Sequence, residues 1–226
     1  MPVSPSPRSS VRWIVVAAML AAIGGLLWRF PLVRIRRLAD ATTTDAFDPR
    51  AFAERFWTDD LAPALATASD AGKVLAAIRR DGAAACRSLG RSVGLSRTCL
   101  YLVRGAGTIA EVGVAGCRVK LDGDTGEVLI ATGLVFGTAV RDVTGTVDPA
   151  SRTDSRELAA AATEINRLVQ DRVVAPLKAG AKVRGRVEFV ACGQVQGALP
   201  AGKPWKLVPL RVDLADGPPT EPEPQP

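Results

Sequence analysis

The sequence predicts an α+β fold, and three observations carry that prediction. Apolar residues recur at helical spacing from Asp48 to Leu89. Between Cys99 and Arg141 the pattern shifts to short β-prone runs punctuated by glycine. One long amphipathic helix after Asp154 and two further strand-like runs then close the folded part. Glycine-punctuated strands in this number are expected to form an antiparallel meander that curls into a partly closed barrel, with the long helix packed on it.

Each element has a local reason. Asp48-Pro49 is a helix start, a capping side chain followed by proline at the first helical position. The run after it places Phe52, Phe56 and Leu61 near one face, with Trp57 beside them as an expected core anchor, and Pro63 bends or ends it. Asp70 opens a second helix carrying Val74, Leu75 and Ile78, which ends near Asp81-Gly82, and a third piece, Ala83–Leu89, stops at Gly90. Strands are expected over Cys99–Arg104, Thr108–Ala115, Cys117–Leu121, Glu127–Thr132 and Leu134–Arg141, with Gly105-Ala106-Gly107 as a hairpin loop. Asp122-Gly123-Asp124-Thr125-Gly126 is turn chemistry. Asp154, with Glu157 three residues on, caps a helix whose stripe is Leu158, Ala162, Ile165, Leu168, Val169 and Val173, closed by Pro176. Lys182–Cys192 and Lys206–Leu214 are the closing strands.

Outside this body, the N-terminus divides into a short basic segment (1–12), an apolar run (13–33) and a linker (34–46). Trp13 to Trp28 holds no charge. At a rise of roughly 1.5 Å per residue it spans about 24 Å, and Phe30, Leu32 and Val33 extend it toward the thickness of a bilayer core. Trp13 and Trp28 stand where interfacial aromatics belong. A cleaved leader would need small residues just past the run, but Arg29, Phe30 and Pro31 follow. The segment is therefore expected to be an uncleaved transmembrane anchor in a lipid bilayer. Arginines flank both of its ends, and by count they favour a cytoplasmic body; the Pro/Ser-rich start and the cysteines argue the other way. Residues 216–226 hold five prolines and three acids and are expected to form an extended, disordered tail.

Charge and composition remove several function classes. The net charge of +6 equals the six arginines of residues 1–37, so the remainder carries 23 bases (29 − 6) and 23 acids. A neutral body has no bias toward a phosphate backbone, and nucleic acid is discarded as a partner. Histidine is absent, which removes the commonest general base and metal ligand. A nucleotide-binding reading of Gly105-Ala106-Gly107 fails because no lysine follows and no helix receives a phosphate.

Cys86, Cys99, Cys117 and Cys192 include no CxxC pair, so zinc is not expected. Four thiols permit three pairings, and the sequence does not choose among them; the pairing expected here is Cys86–Cys99, a helix beside the next strand, with Cys117–Cys192, two strand cysteines. Four buried free thiols in a reducing compartment are the alternative.

The order of motifs resembles a bacterial family of predicted periplasmic lipoproteins of unknown function, often encoded beside sugar ABC transporters. The pieces that carry the resemblance are Phe47-Asp48-Pro49, Trp57, Leu61-Ala62-Pro63, Val103 to Thr108, Gly133 to Asp142, Ile165-Asn166 and Pro209 to Val212. They extend over most of the folded body. The resemblance implies a periplasmic body and a barrel-like β core, and it supports disulfides. Two features depart from the family. Its lipid-attachment cysteine is missing, since the first cysteine is Cys86, and Val147–Arg156 lacks the aromatic and Asn-Gln stretch of relatives.

Candidate sites follow from side-chain chemistry. Gly137, Thr138, Arg141 and Asp142 join a flexible backbone position to polar groups at an expected strand end, where Arg141 would hold a carboxylate or sugar hydroxyls. The competing reading is an Arg–Asp pair closing a turn. Asn166 is the fifth candidate, with satisfaction of backbone groups as its ordinary role. Asp122 and Asp124 begin like a calcium loop, but its twelfth position is Gly133 instead of a glutamate, so a metal is a weak alternative to a turn. No cofactor is expected.

The function expected from all this is a non-enzymatic, single-pass inner-membrane protein with its body in the periplasm. It would bind a ligand or partner beside an ABC transport system, the transport link coming from the resemblance alone. A purely structural envelope protein is the alternative. A hydrolase using paired carboxylates is the less favoured one, since no spaced acid pair stands out.

Overall fold

The computed structural model describes residues 47–92, 98–147, 154–200 and 202–215. The expected anchor at 13–33, its flanks and the proline-rich tail lie outside the described residues. Among the described residues, no helix is long and apolar enough to cross a membrane.

The body opens with helices set by their caps. In α1 (Pro49–Arg55) the Asp48 carboxylate accepts from the Arg50 and Ala51 amides. A π-helical turn, Phe56–Leu61, carries the chain into α2 (Ala62–Ala66), so Pro63 begins a new helical segment instead of ending the old one. A short β1 (Ser69–Asp70) precedes α3 (Ala71–Arg80), which Asp70 caps through the Lys73 amide. Asp81 likewise caps α4 (Gly82–Leu89) through Ala83 and Ala84, and those two amides outweigh burial in holding its carboxyl below the ordinary value.

A sheet follows: β2 (Arg91–Ser92), β3 (Thr98–Gly113), β4 (Gly116–Leu121) and β5 (Glu127–Ala131). After it come α5 (Ala139–Thr144), α6 (Ser155–Val169), a π-helical turn Gln170–Val174, and α7 (Ala175–Gly180). Two long strands, β6 (Arg186–Gln196) and β7 (Trp205–Ala215), finish the body.

Five strands form a ring in the pairing order β3–β4–β5–β7–β6 and back to β3. All neighbours are antiparallel except β5 and β7. Closing a ring with so few strands requires β3 to serve two edges, and this overturns the expected Gly105-Ala106-Gly107 loop. The two predicted strands are one strand of 16 residues. A side chain at Gly107 would collide with the Lys120 carbonyl, and one at Gly105 would press on the Phe189 ring. Glycine here permits close strand approach, not a turn. Pro209, without an amide proton, sits beside a bulge in the β6–β7 pairing at Val190/Ala191.

Alternation divides the core into two layers. Odd-numbered residues of β3 and β6 (Tyr101, Val103, Val187, Phe189) meet Val119, Ile130, Trp205 and Leu207 inside the ring, under Val74, Leu75 and Ile78 of α3. Even-numbered ones (Leu100, Cys192) face outward to Phe56 and Leu61, Val140 and Val143 of α5, and Ile165 and Leu168 of α6. Gly193 leaves room for the Trp205 indole, which meets Tyr101 edge-on at 5.7 Å between centroids. The expected anchor Trp57 is only half buried, with the Arg172 guanidinium 5.2 Å from its ring centroid; Phe56 takes the core position.

The cysteines separate along the same division. Cys86 of α4 and Cys99 of β3 form a disulfide, with Cα atoms 5.8 Å apart. Cys117 and Cys192 are buried and free, which corrects the expected second bridge. Cys117 points into the ring and Cys192 out of it. Their pairing positions on β3, Val112 and Leu102, are also ten residues apart (112 − 102), far beyond disulfide reach.

Candidate functional site

The segment 133–142 differs from the expected strand. β5 ends at Ala131, an irregular loop runs to Thr138, and α5 begins at Ala139. The reason lies in the spacing of Val140 and Val143, three apart, which lets both side chains enter the outer core layer from one helical face. Gly145, with φ of 72°, then ends the helix in the left-handed conformation that glycine favours.

The loop is held from one side by α6 and the turn after it. Asn166 Nδ2 donates to the Gly137 carbonyl at 2.8 Å. One helical turn later the Gln170 side-chain oxygen accepts from the Val135 amide at 3.3 Å. With Val135 packed on the core, its neighbours Leu134 and Phe136 project outward, 82% and 83% exposed. They are two of the seven large apolar side chains that stand exposed among the described residues.

Under this loop lies a depression of about 320 Å³ between α5 and the β3–β6 edge. Phe136, Gly137, Thr138 and Asp142 line one side, with Leu100 and Gln194 opposite. The structure therefore brings three of the five candidates, Gly137, Thr138 and Asp142, to one concavity. Gly137 has φ of 88° and open space where a side chain would stand.

The other two candidates support the first three. Arg141 is 6% exposed and does not line the depression. Its Nε and Nη2 donate to one Asp142 oxygen at 2.7 and 2.6 Å, and its Nη1 donates to the Leu158 carbonyl at 3.0 Å. It ties α5 to α6 and neutralises Asp142, the role of the competing turn-closing pair. Asn166 positions the loop through a backbone carbonyl, which is its ordinary role.

The outward-facing Cys192 lies against the same group. Its thiol contacts the Ala139 carbonyl at 3.7 Å, and burial, then the Asp142 charge, push its pKa up from 9.0 to about 12. A thiol so disposed is neutral and inert.

Asp122 and Asp124 each carry a cation partner. Arg186 donates to both oxygens of Asp122 at 3.3 and 2.9 Å, and Lys120 pairs with Asp124 at 2.9 Å. Gly123 and Asp124, with φ of 71° and 52°, make the tight connection between β4 and β5.

Sequence reasoning missed Leu134, Phe136 and Gln194. The first two were hidden by the strand assignment, which alternates them with Val135 as ordinary strand residues. Gln194 carries no local signal.

A five-stranded ring with its long helix between the third and fourth ring strands defines an OB-fold domain. A solved OB-fold protein from Thermotoga maritima MSB8 shares this fold at a TM-score of 0.66 and 23% identity, over 76% of this chain and 100% of that one. The chain belongs to the predicted periplasmic lipoprotein family DUF2291, whose model matches residues 14–213. No curated protein matches it.

Proposed function

We propose that this chain is a non-enzymatic periplasmic binding domain, held to the inner membrane by residues 13–33. On this reading it acts as an accessory of a sugar ABC transport system. The observation that carries the binding part is the anchored loop with Leu134 and Phe136 exposed above the Gly137–Thr138–Asp142 depression. An aromatic ring beside a hydroxyl, an amide and a carboxylate suits a hydroxyl-rich ligand or the polar edge of a partner protein. The transport assignment draws on the family resemblance, and the periplasmic placement is supported by family membership and by the Cys86–Cys99 bridge.

The β ring is filled by side chains, which favours the structural-protein alternative as far as the ring interior is concerned. Its outer surface carries the depression, which favours binding. A paired-carboxylate hydrolase draws less support, because Asp142 is the one acid lining this depression and is already bound to Arg141.

The test is a photo-crosslinking phenylalanine analogue placed at Phe136 in the full-length protein, irradiated in intact membranes. A crosslink to a transporter component is the expected result. Absence of any product from position 136, with no thermal shift from a panel of monosaccharides, would leave a purely structural role. Intact mass of membrane-purified protein tests the anchor, which is expected to retain Met1 or Pro2.

A further inference from the structure

A second depression, of about 580 Å³, opens between the end of α3, the β4–β5 connection and the segment joining β6 to β7. Its charged lining is Arg79, Arg118, Lys203 and Glu127, a balance of +2 (3 − 1). The rest of the wall is largely apolar, with Ile78, Leu199 and Pro204 contributing.

The cations are underused. Arg118 Nη2 meets Glu111 at 3.1 Å, but Nη1 is 3.9 Å from Glu127, too long for a hydrogen bond. The Arg118 Nε–H is buried without an acceptor. The Arg79 guanidinium lies over Gly126, where a side chain would stand 3.3 Å from its Nη1. Neither Arg79 nor Lys203 has an ion-pair partner among the described residues. Solvated surface cations need no pocket, yet these three line one concave surface together with Ile78, Leu199 and Pro204.

We propose that this depression binds a small organic oxyanion, a carboxylate or phosphate ester with an apolar body. Arg118 and Arg79 hold the oxyanion through guanidinium donors, Lys203 adds a third positive charge from the β6–β7 segment, and Leu199 and Pro204 cover the apolar part. The site shares no lining residue with the depression under the Phe136 loop, so either can fail without the other.

Calorimetric titration of the full-length protein with phenyl phosphate, benzoate, inorganic phosphate and phenol tests this. Saturable one-site binding of phenyl phosphate or benzoate is expected, with inorganic phosphate weaker and phenol silent. The tighter of the two aromatic anions identifies the headgroup. R118Q and K203Q should each weaken binding roughly tenfold or more, the loss of a charge-assisted contact. Lys203 is exposed, so K203Q reports even where R118Q fails to fold. Failure of both aromatic anions to saturate, equal binding of phenol, or unchanged affinity in K203Q and R79Q would overturn the proposal.

Discussion

Asp142 is where one carboxylate serves packing, charge balance and surface chemistry together. It accepts two guanidinium hydrogen bonds from Arg141, lies close to the Cys192 thiol, and lines the loop depression. Replacing it with asparagine leaves a buried guanidinium without its counter-charge. Asp142→Asn is therefore expected to lower unfolding free energy by roughly 3 kcal/mol or more, read from urea denaturation. Cys192 offers a pH test. Its folded pKa is raised above its unfolded value, so the contribution to stability is fully present below pH 9.0 and is lost as pH rises toward about 12. Burial also raises the Cys117 thiol. A thiol reagent at pH 8 should label neither cysteine in the native protein and both after denaturation; rapid native labelling would contradict their burial. Arg141 was legible as a residue with a role, and the sequence also offered its pairing with Asp142. That it turns from the depression to the Leu158 carbonyl depends on α6, 17 residues away.

Between elements, the Cys86–Cys99 bridge clamps α4 onto β3 across a separation of 13 residues. Cys86→Ser with Cys99→Ser is expected to cost about 3 kcal/mol, the usual value for a closed loop of that size, and a reductant should lower the melting temperature in wild type only. Three helix starts were legible because capping is local: Asp48, Asp70 and Asp154 cap amides they reach within three residues, whereas Asp81, read only as the end of the preceding helix, also caps the next one. The strand expected at Leu134–Arg141 failed for an equally physical reason. Valine, threonine and phenylalanine favour strands when nothing else decides, and here the outer core layer accepts Val140 and Val143 only at helical spacing. The spacing of three and Gly145 beyond it were the available signals. Similarly, β3 looked interrupted because glycine weakens a lone strand, whereas in the ring Gly105 and Gly107 are where neighbours press closest.

For the whole molecule, closure makes β3 the keystone: it pairs with β6 over eleven positions, from Thr98 to Thr108, and with β4 along its second half. Amide hydrogen exchange should be slowest in β3 from Cys99 to Gly107 and in its partner β6, and fast at Gly133 and Leu134; uniform protection across the loop and the ring would contradict this hierarchy. The sequence alone determined what short range controls: an α+β order of elements, the helix caps, the 122–126 turn, the amphipathic stripe of α6 and the family resemblance. Tertiary structure decided what depends on register and face. It closed five strands into a ring, sent Cys117 inward and Cys192 outward, and turned a presumed strand into a loop that raises Leu134 and Phe136 above a hollow. The reason is parity. A one-residue change in strand register exchanges the faces of every side chain, and register is fixed by partners distant in sequence.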